Sequence, residues 1–304
     1  MRPTELVYSS HDRSDYLHRR WIVERALEGV DNKTIFYLPC SSPGRGDQEY
    51  SWGTFSGYFE RFREWGLEPR HMYWSEELTR EEAQRFFEWL EGSRVVLLGG
   101  GMTTTGLARY ADFGRRLDGD AGRFVRVLRE RQARGLFTVG FSAGADQLCE
   151  WSCDGDVRCL GLIERAIVQL HYGPEHAGRI ERLARTYADC FVVGLPNDSG
   201  IAVCGGRTPG GARWQFIRFV IDESWDRPED AWHIKTRQGV GIEHRGADGR
   251  AWKFNGGDVL LRILRDGGAA DELFVAGPHY PGYVDLRSGE ATGIDDHERL
   301  IGVR

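Results

Sequence analysis

Over the first two hundred positions, apolar residues fall into short solid runs, separated by longer stretches where they recur every three or four residues. Thr34-Ile35-Phe36-Tyr37-Leu38, Val95-Val96-Leu97-Leu98 and Leu136-Phe137-Thr138-Val139 are runs of the first kind. Runs so short and so continuously apolar suit strands buried on both faces of a sheet. Read in order, the pattern predicts strand 34–39, helix 53–66, a strand-like 71–74, helix 80–91, strand 95–98 and helices 104–117 and 121–134. It continues with strand 136–141, helix 143–152, strand 166–170, helix 177–188 and strand 191–195. Such an alternation is expected to close as a three-layer α/β/α fold, a mostly parallel sheet with helices on both faces.

Both ends of the chain depart from that rhythm. A helical segment at 16–27 precedes the first predicted strand, and β-prone runs separated by Gly, Asp and Pro turns fill the C-terminal third, at 214–221, 232–236, 240–244, 251–254, 259–264 and 272–276. The expected division is an α/β/α core over 1–206, including the N-terminal helix, with a β-rich extension over 207–304 packed on it. The extension suits an added sheet, a homodimerisation surface or a cover over the site equally well.

Residues 140–145 read Gly-Phe-Ser-Ala-Gly-Ala where predicted strand turns into predicted helix. This is the pattern of a nucleophile elbow: a serine held in a sharp turn leaves little room two positions away, and Gly140 and Gly144 supply that room. The turn aims the N–H of Ala143, at the start of the next helix, toward a developing oxyanion. Upstream, strand 95–98 runs into Gly99-Gly100-Gly101-Met102-Thr103 and a helix, and such a turn presents bare N–H groups. In a parallel sheet, Gly100, Ser142 and His171 all fall at carboxyl ends of strands, where ligands bind.

Further along come Leu170-His171-Tyr172 with Arg179 and Arg182, and then Gly194-Leu195-Pro196-Asn197. The order of these four motifs, across approximately residues 33–206, resembles the serine peptidase family that contains dipeptidase E and cyanophycinase. The resemblance implies a flavodoxin-like sheet, Ser142 as nucleophile, His171 as general base, and the N–H groups of Gly100 and Ala143 as the oxyanion hole. Gly101, Met102 and Thr103 would then line the substrate pocket. An acyl-enzyme on Ser142 would cleave amide bonds of small peptides or isopeptides, aspartyl or β-aspartyl dipeptides among them.

The chain leaves the family pattern at the third catalytic position. Asn197 stands where an acid is expected, with Asp198 beside it; an asparagine orients an imidazole but does not stabilise imidazolium by charge. Dipeptidase E draws its aspartate from the segment between serine and histidine, and Asp156 lies nearest that place, with Asp154 close by. Asp156, Asp198 and Asn197 are therefore all candidates. Met102 replaces the asparagine of the glycine turn and removes a polar group from the expected pocket. Two other readings compete: an α/β-hydrolase-type esterase with His279 or His297 as base, and a non-catalytic relative that binds a peptide or metabolite.

Composition narrows the partners. Net charge is −6 and the pI is near 5.9, which argues against nonspecific nucleic-acid binding. No apolar run is long enough to span a bilayer and no signal-peptide core follows Met1, so the expectation is a cytoplasmic chain with no membrane partner. Six cysteines in 304 residues read as reduced thiols, and the spacing of Cys149, Cys153 and Cys159 matches no metal motif. No cofactor is signalled: the glycine turn lacks a P-loop lysine, and residues 140–145 lack dinucleotide spacing.

Overall fold

The structure is a computed structural model that describes residues 1–10, 14–222, 226–235, 240–265, 271–294 and 297–302. In chain order the elements are β1 (Glu5–Tyr8), a π-helical Leu17–Val23 running into α1 (Glu24–Leu27), β2 (Thr34–Leu38), α2 (Arg45–Glu60), β3 (Glu68–His71), α3 (Arg80–Gly92) and β4 (Val95–Leu98). Then follow α4 (Thr103–Asp118), α5 (Arg123–Ala133), β5 (Phe137–Phe141), α6 (Ala143–Leu148), β6 (Ala166–Gln169), α7 (Ala177–Thr186) and β7 (Phe191–Gly194). The remainder is β8 (Ser199–Arg207), β9 (Arg213–Ile221), β10 (Ile242–Arg245), β11 (Ala251–Phe254), β12 (Val259–Leu264), β13 (Glu272–Ala276), β14 (Val284–Asp285) and α8 (His297–Leu300).

Ten strands form the main sheet in the order β14-β13-β12-β9-β8-β1-β5-β4-β2-β3. From β3 to β1 every pairing is parallel, and from β1 outward every pairing is antiparallel. Within the parallel half, β2 to β5 lie in the flavodoxin-like order, and the direction of winding reverses between β2 and β4. That reversal opens a crevice above the carboxyl ends of the two strands. The loop after β2 and the glycine turn after β4 border it.

Alternate residues of the parallel strands serve opposite faces. Val7, Phe36, Leu38, Val96 and Leu98 pack against α3, α4 and α5 through Phe86, Phe87, Phe113 and Phe124. Leu6, Tyr8, Ile35, Tyr37, Val95 and Leu97 pack against α2 and the N-terminal helix through Phe55, Phe59, Leu17 and Ile22. Each fully buried aromatic ring contributes roughly 2–3 kcal/mol of transfer free energy. Helix α3 shows how sequence sets such an element: Ala83, Phe86, Phe87 and Leu90 make one apolar stripe, and Thr79 and Glu82 close a capping box at its start.

Several predicted elements sit differently from expectation. Strand 34–38 is not the first: β1 precedes it and lies in the middle of the sheet, between β5 and β8. Helix α2 begins at Arg45 rather than 53, and α6 ends at Leu148 rather than 152, so Cys149 and Cys153 do not share a helix. Strands β6 and β7 leave the main sheet and pair with each other in a second sheet ordered β11-β10-β7-β6. Residues 232–235 form one isolated bridge, Ser14 to His233, instead of a strand, and Thr236 lies outside the described residues. The 206/207 boundary falls at the end of β8, whose partners are β1 on one side and β9 on the other. No helix among the described residues is long and apolar enough to cross a membrane.

Candidate active site

Ser142 follows the last residue of β5 and precedes α6, with φ 48° and ψ −123°. A non-glycine residue at positive φ costs of order 1–3 kcal/mol and persists only where its surroundings enforce it. The enforcement is visible: the Ser142 N–H donates to the Tyr8 carbonyl at 3.1 Å, and the Ser142 carbonyl accepts from Ala145 and Asp146. Gly140 and Gly144 make the turn possible. A methyl group on Gly140 would lie 2.2 Å from the Gly144 carbonyl oxygen, and one on Gly144 would lie 2.2 Å from the Leu98 carbonyl oxygen.

Four non-glycine residues carry positive φ among the described residues, and two of them meet here: Ser142 and His171. His171 follows β6, and its N–H donates to Ser9 Oγ at 2.5 Å. Its Nε2 stands 3.5 Å from Ser142 Oγ, and its Nδ1 stands 2.8 Å from Asn197 Oδ1. An amide oxygen only accepts, so Nδ1 carries the proton and Nε2 presents its lone pair to the serine. The 3.5 Å separation is the loose end of the range, as is common before a substrate draws base and nucleophile together. Two backbone bonds hold the second sheet's contribution in register: Tyr172 N–H to the Leu195 carbonyl, and Leu195 N–H to the Gln169 carbonyl.

The other third-member candidates lie elsewhere. The carboxylate of Asp198, one residue beyond Asn197, accepts from Ser14 Oγ at 3.0 Å, and its carbonyl accepts from the Asp222 N–H. Its left-handed backbone turns it away from its neighbour's direction. Asp156 accepts from Ser152 Oγ, and Asp154 pairs with Arg179. Asn197 is the group on His171 Nδ1, while Asp156 and Asp198 hold other partners. His279 lies near Asp258, so the imidazole beside Ser142 is His171; the His297 side chain lies outside what the structure describes.

The glycine turn stands where the crevice requires. A methyl group on Gly100 would touch Ser142 Cβ at 3.3 Å, so this backbone lies against the serine. Gly101 has φ 130° and its Cα packs on the Ser41 carbonyl, which accepts the Met102 N–H at 2.8 Å. The Met102 side chain is exposed. The first N–H groups of a helix have no intrahelical acceptor, which leaves that of Ala143, the first residue of α6, available. Thr103 Oγ1 donates to Asp146 Oδ2 at 2.8 Å instead of facing the crevice alone.

Pattern reasoning passed over three groups that shape this site. Asp146 is buried in the first turn of α6 and links Thr103 to the Cys153 N–H; burial pushes its pKa up to about 6. Arg109, from α4, donates to the carbonyls of Cys40, Ser42 and Pro43, and so fixes the loop after β2. Ser9 holds the His171 backbone. The acid in the first turn of α6 and the arginine on the polar side of α4 were present as signals, but their partners are loop carbonyls and hydroxyls that no local pattern identifies.

No protein-family model and no curated protein sequence matches the chain. Among solved structures, the chain is similar to a peptidase from an acI-B1 Actinobacterium, with 15% identity, 82% of this chain and 96% of that chain covered, and a TM-score of 0.49. It is also similar to a provisionally named peptidase E protein from Listeria monocytogenes EGD-e, with 15% identity, 66% and 94% covered, and a TM-score of 0.44. Both likenesses are distant, and neither bears on what this chain does.

Proposed function

We propose that the chain is a serine hydrolase that cleaves amide bonds of small peptides or isopeptides through an acyl-enzyme on Ser142. The observation that carries this reading is the run of contacts from Ser142 Oγ through His171 to Asn197, built on a serine at positive φ. In this mechanism Nε2 of His171 takes the hydroxyl proton as Oγ attacks the carbonyl carbon, and later returns it to the leaving amine. The oxyanion of the tetrahedral intermediate is held by the N–H groups of Gly100 and Ala143. Water, activated by the same imidazole, then releases the acid. Asn197 keeps the imidazole in the tautomer that makes Nε2 the base. The preference for small, aspartyl-containing substrates rests on the order of motifs in the sequence.

Hydrolysis of a panel of α-aspartyl, β-aspartyl and non-acidic dipeptides tests the reading. Ser142→Ala and His171→Ala are each expected to lower kcat by roughly a thousandfold or more, and a serine-directed phosphonate is expected to label the native chain at Ser142. Undiminished turnover in Ser142→Ala would overturn it. An esterase that uses His279 would instead lose activity in His279→Ala and keep it in His171→Ala.

A further inference from the structure

A second cavity, of about 290 Å³, lies between the β7-β10-β11 sheet and the outer strands of the main sheet. Its walls are chiefly apolar and include Leu273, Leu286 and the rings of Phe191, His244 and Trp252. The three rings are stacked: His244 is 4.4 Å from Phe191 at 28° and 5.2 Å from Trp252 at 18°. His244 is 3% exposed.

The state of this histidine is fixed by its surroundings. Nδ1 lies 2.8 Å from the Val192 carbonyl, which only accepts, so Nδ1 carries the proton. Burial pushes the pKa down to about 4, so the ring is neutral at physiological pH and Nε2 keeps its lone pair. No described residue donates to that nitrogen. The ring is buried, but Nε2 itself is not sealed off, so this residue of the cavity wall offers an open acceptor that a ligand donor can reach.

The rim supplies the second recognition element. Arg250 is paired with Asp248, and Arg262 with Asp271. Arg287 is exposed, donates to the Asp271 carbonyl, and has no carboxylate partner among the described residues. An open acceptor, chiefly apolar walls around a space of about 290 Å³, and an exposed guanidinium among the lining residues ask for three features in one molecule. We propose that this cavity binds a hydroxyaryl carboxylic acid, whose hydroxyl donates to His244 Nε2 while its carboxylate meets Arg287. The ring fills the apolar middle, and the charged end stays where the solvent is. This site is separate from the Ser142 crevice and stands whether or not the chain is a hydrolase.

Calorimetric titration of the full chain with 3- and 4-hydroxybenzoate, benzoate and phenol tests the assignment. One of the two hydroxybenzoates is expected to bind about fivefold or more tightly than both benzoate, which lacks the donor, and phenol, which lacks the carboxylate. Arg287→Gln, at an exposed position, should remove the advantage over phenol. His244→Phe, which keeps the stack, should remove the advantage over benzoate. Ser142→Ala should bind as the native chain does. Equal affinities for all four probes, or no binding by any of them at 10 mM, would overturn the proposal, and the Arg287 variant keeps it open to refutation if the His244 variant fails to fold.

Discussion

Asn197 sets how much charge the imidazole of His171 can carry. Its Oδ1 accepts from Nδ1 at 2.8 Å, which orients the ring but offers only a dipole to an imidazolium. Asn197→Asp is therefore expected to raise kcat by roughly tenfold or more, and Asn197→Ala to lower it with little change in KM; steady-state rates on the best dipeptide check both. The residue itself was legible in the sequence as one of three candidates. What brings Asn197 rather than Asp198 to the imidazole is the backbone: Asp198 has φ 60°, so neighbours in sequence address different partners, His171 and Ser14. Neither composition nor spacing carries a φ angle. Glu5 was invisible for a different reason, because an acid in a short apolar run gives no hint that it will be fully covered. Burial pushes its pKa up to about 8 from an ordinary value of 4.5. Between those values the folded chain holds a proton that the unfolded chain releases, so stability falls as pH rises through this window. Glu5→Gln imitates the protonated form, and its unfolding free energy should gain on the native chain from pH 4.5 to 8 and level off above. The gain is bounded at roughly 5 kcal/mol, and urea denaturation at pH 5, 7 and 9 measures it.

The elbow is an element whose geometry can be broken by one carbon. Because a methyl group on Gly144 would press on the Leu98 carbonyl oxygen at 2.2 Å, Gly144→Ala must move either β4 or α6. We expect a loss of roughly 1–3 kcal/mol in urea unfolding together with slower phosphonate labelling of Ser142. The need for glycine at both positions was readable in the sequence from the elbow pattern, but the group that Gly144 must clear, the Leu98 carbonyl of β4, was not. The strands that bring the other partners were read less well. β1 is four residues long, Glu5-Leu6-Val7-Tyr8, too short to display a period, yet it carries Ser9 to the His171 backbone and its Tyr8 carbonyl to Ser142. β6 and β7 were recognised as strands, but not as members of a second sheet. They pair with each other, and β7 takes β10, some fifty residues later, as its other neighbour, a partner no short window along the chain contains.

At the scale of the molecule, the two sheets are bound together by buried polar contacts as well as by packing. Arg262, on β12, is almost completely buried; it pairs with Asp271 and donates to the carbonyls of Glu164 and Asp189. Removing the guanidinium would leave those two carbonyls without their donor and Asp271 with Arg165 as its remaining cation. Arg262→Met is expected to cost about 1–3 kcal/mol, read as a lower urea midpoint. Since β9 completes β8, and β10 completes β7 just before Asn197, the chain is expected to unfold in one cooperative calorimetric transition, and a piece ending at residue 206 to fail to label with phosphonate. The α/β alternation of the first half was legible because helices and parallel strands differ in period. The long antiparallel continuation was legible only as a set of strands, since its order depends on contacts far apart along the chain.

A sheet of ten strands has two margins, and one of them is β3, Glu68-Pro69-Arg70-His71, hydrogen-bonded to β2 on its inner side. Its free side offers an incoming strand a proline with no N–H and a row of ionisable side chains that resist being dried. That margin works as a stop against polymerisation. Replacing Pro69 and its charged neighbours with valine and threonine would turn it into a template for stacking one molecule's sheet onto the next.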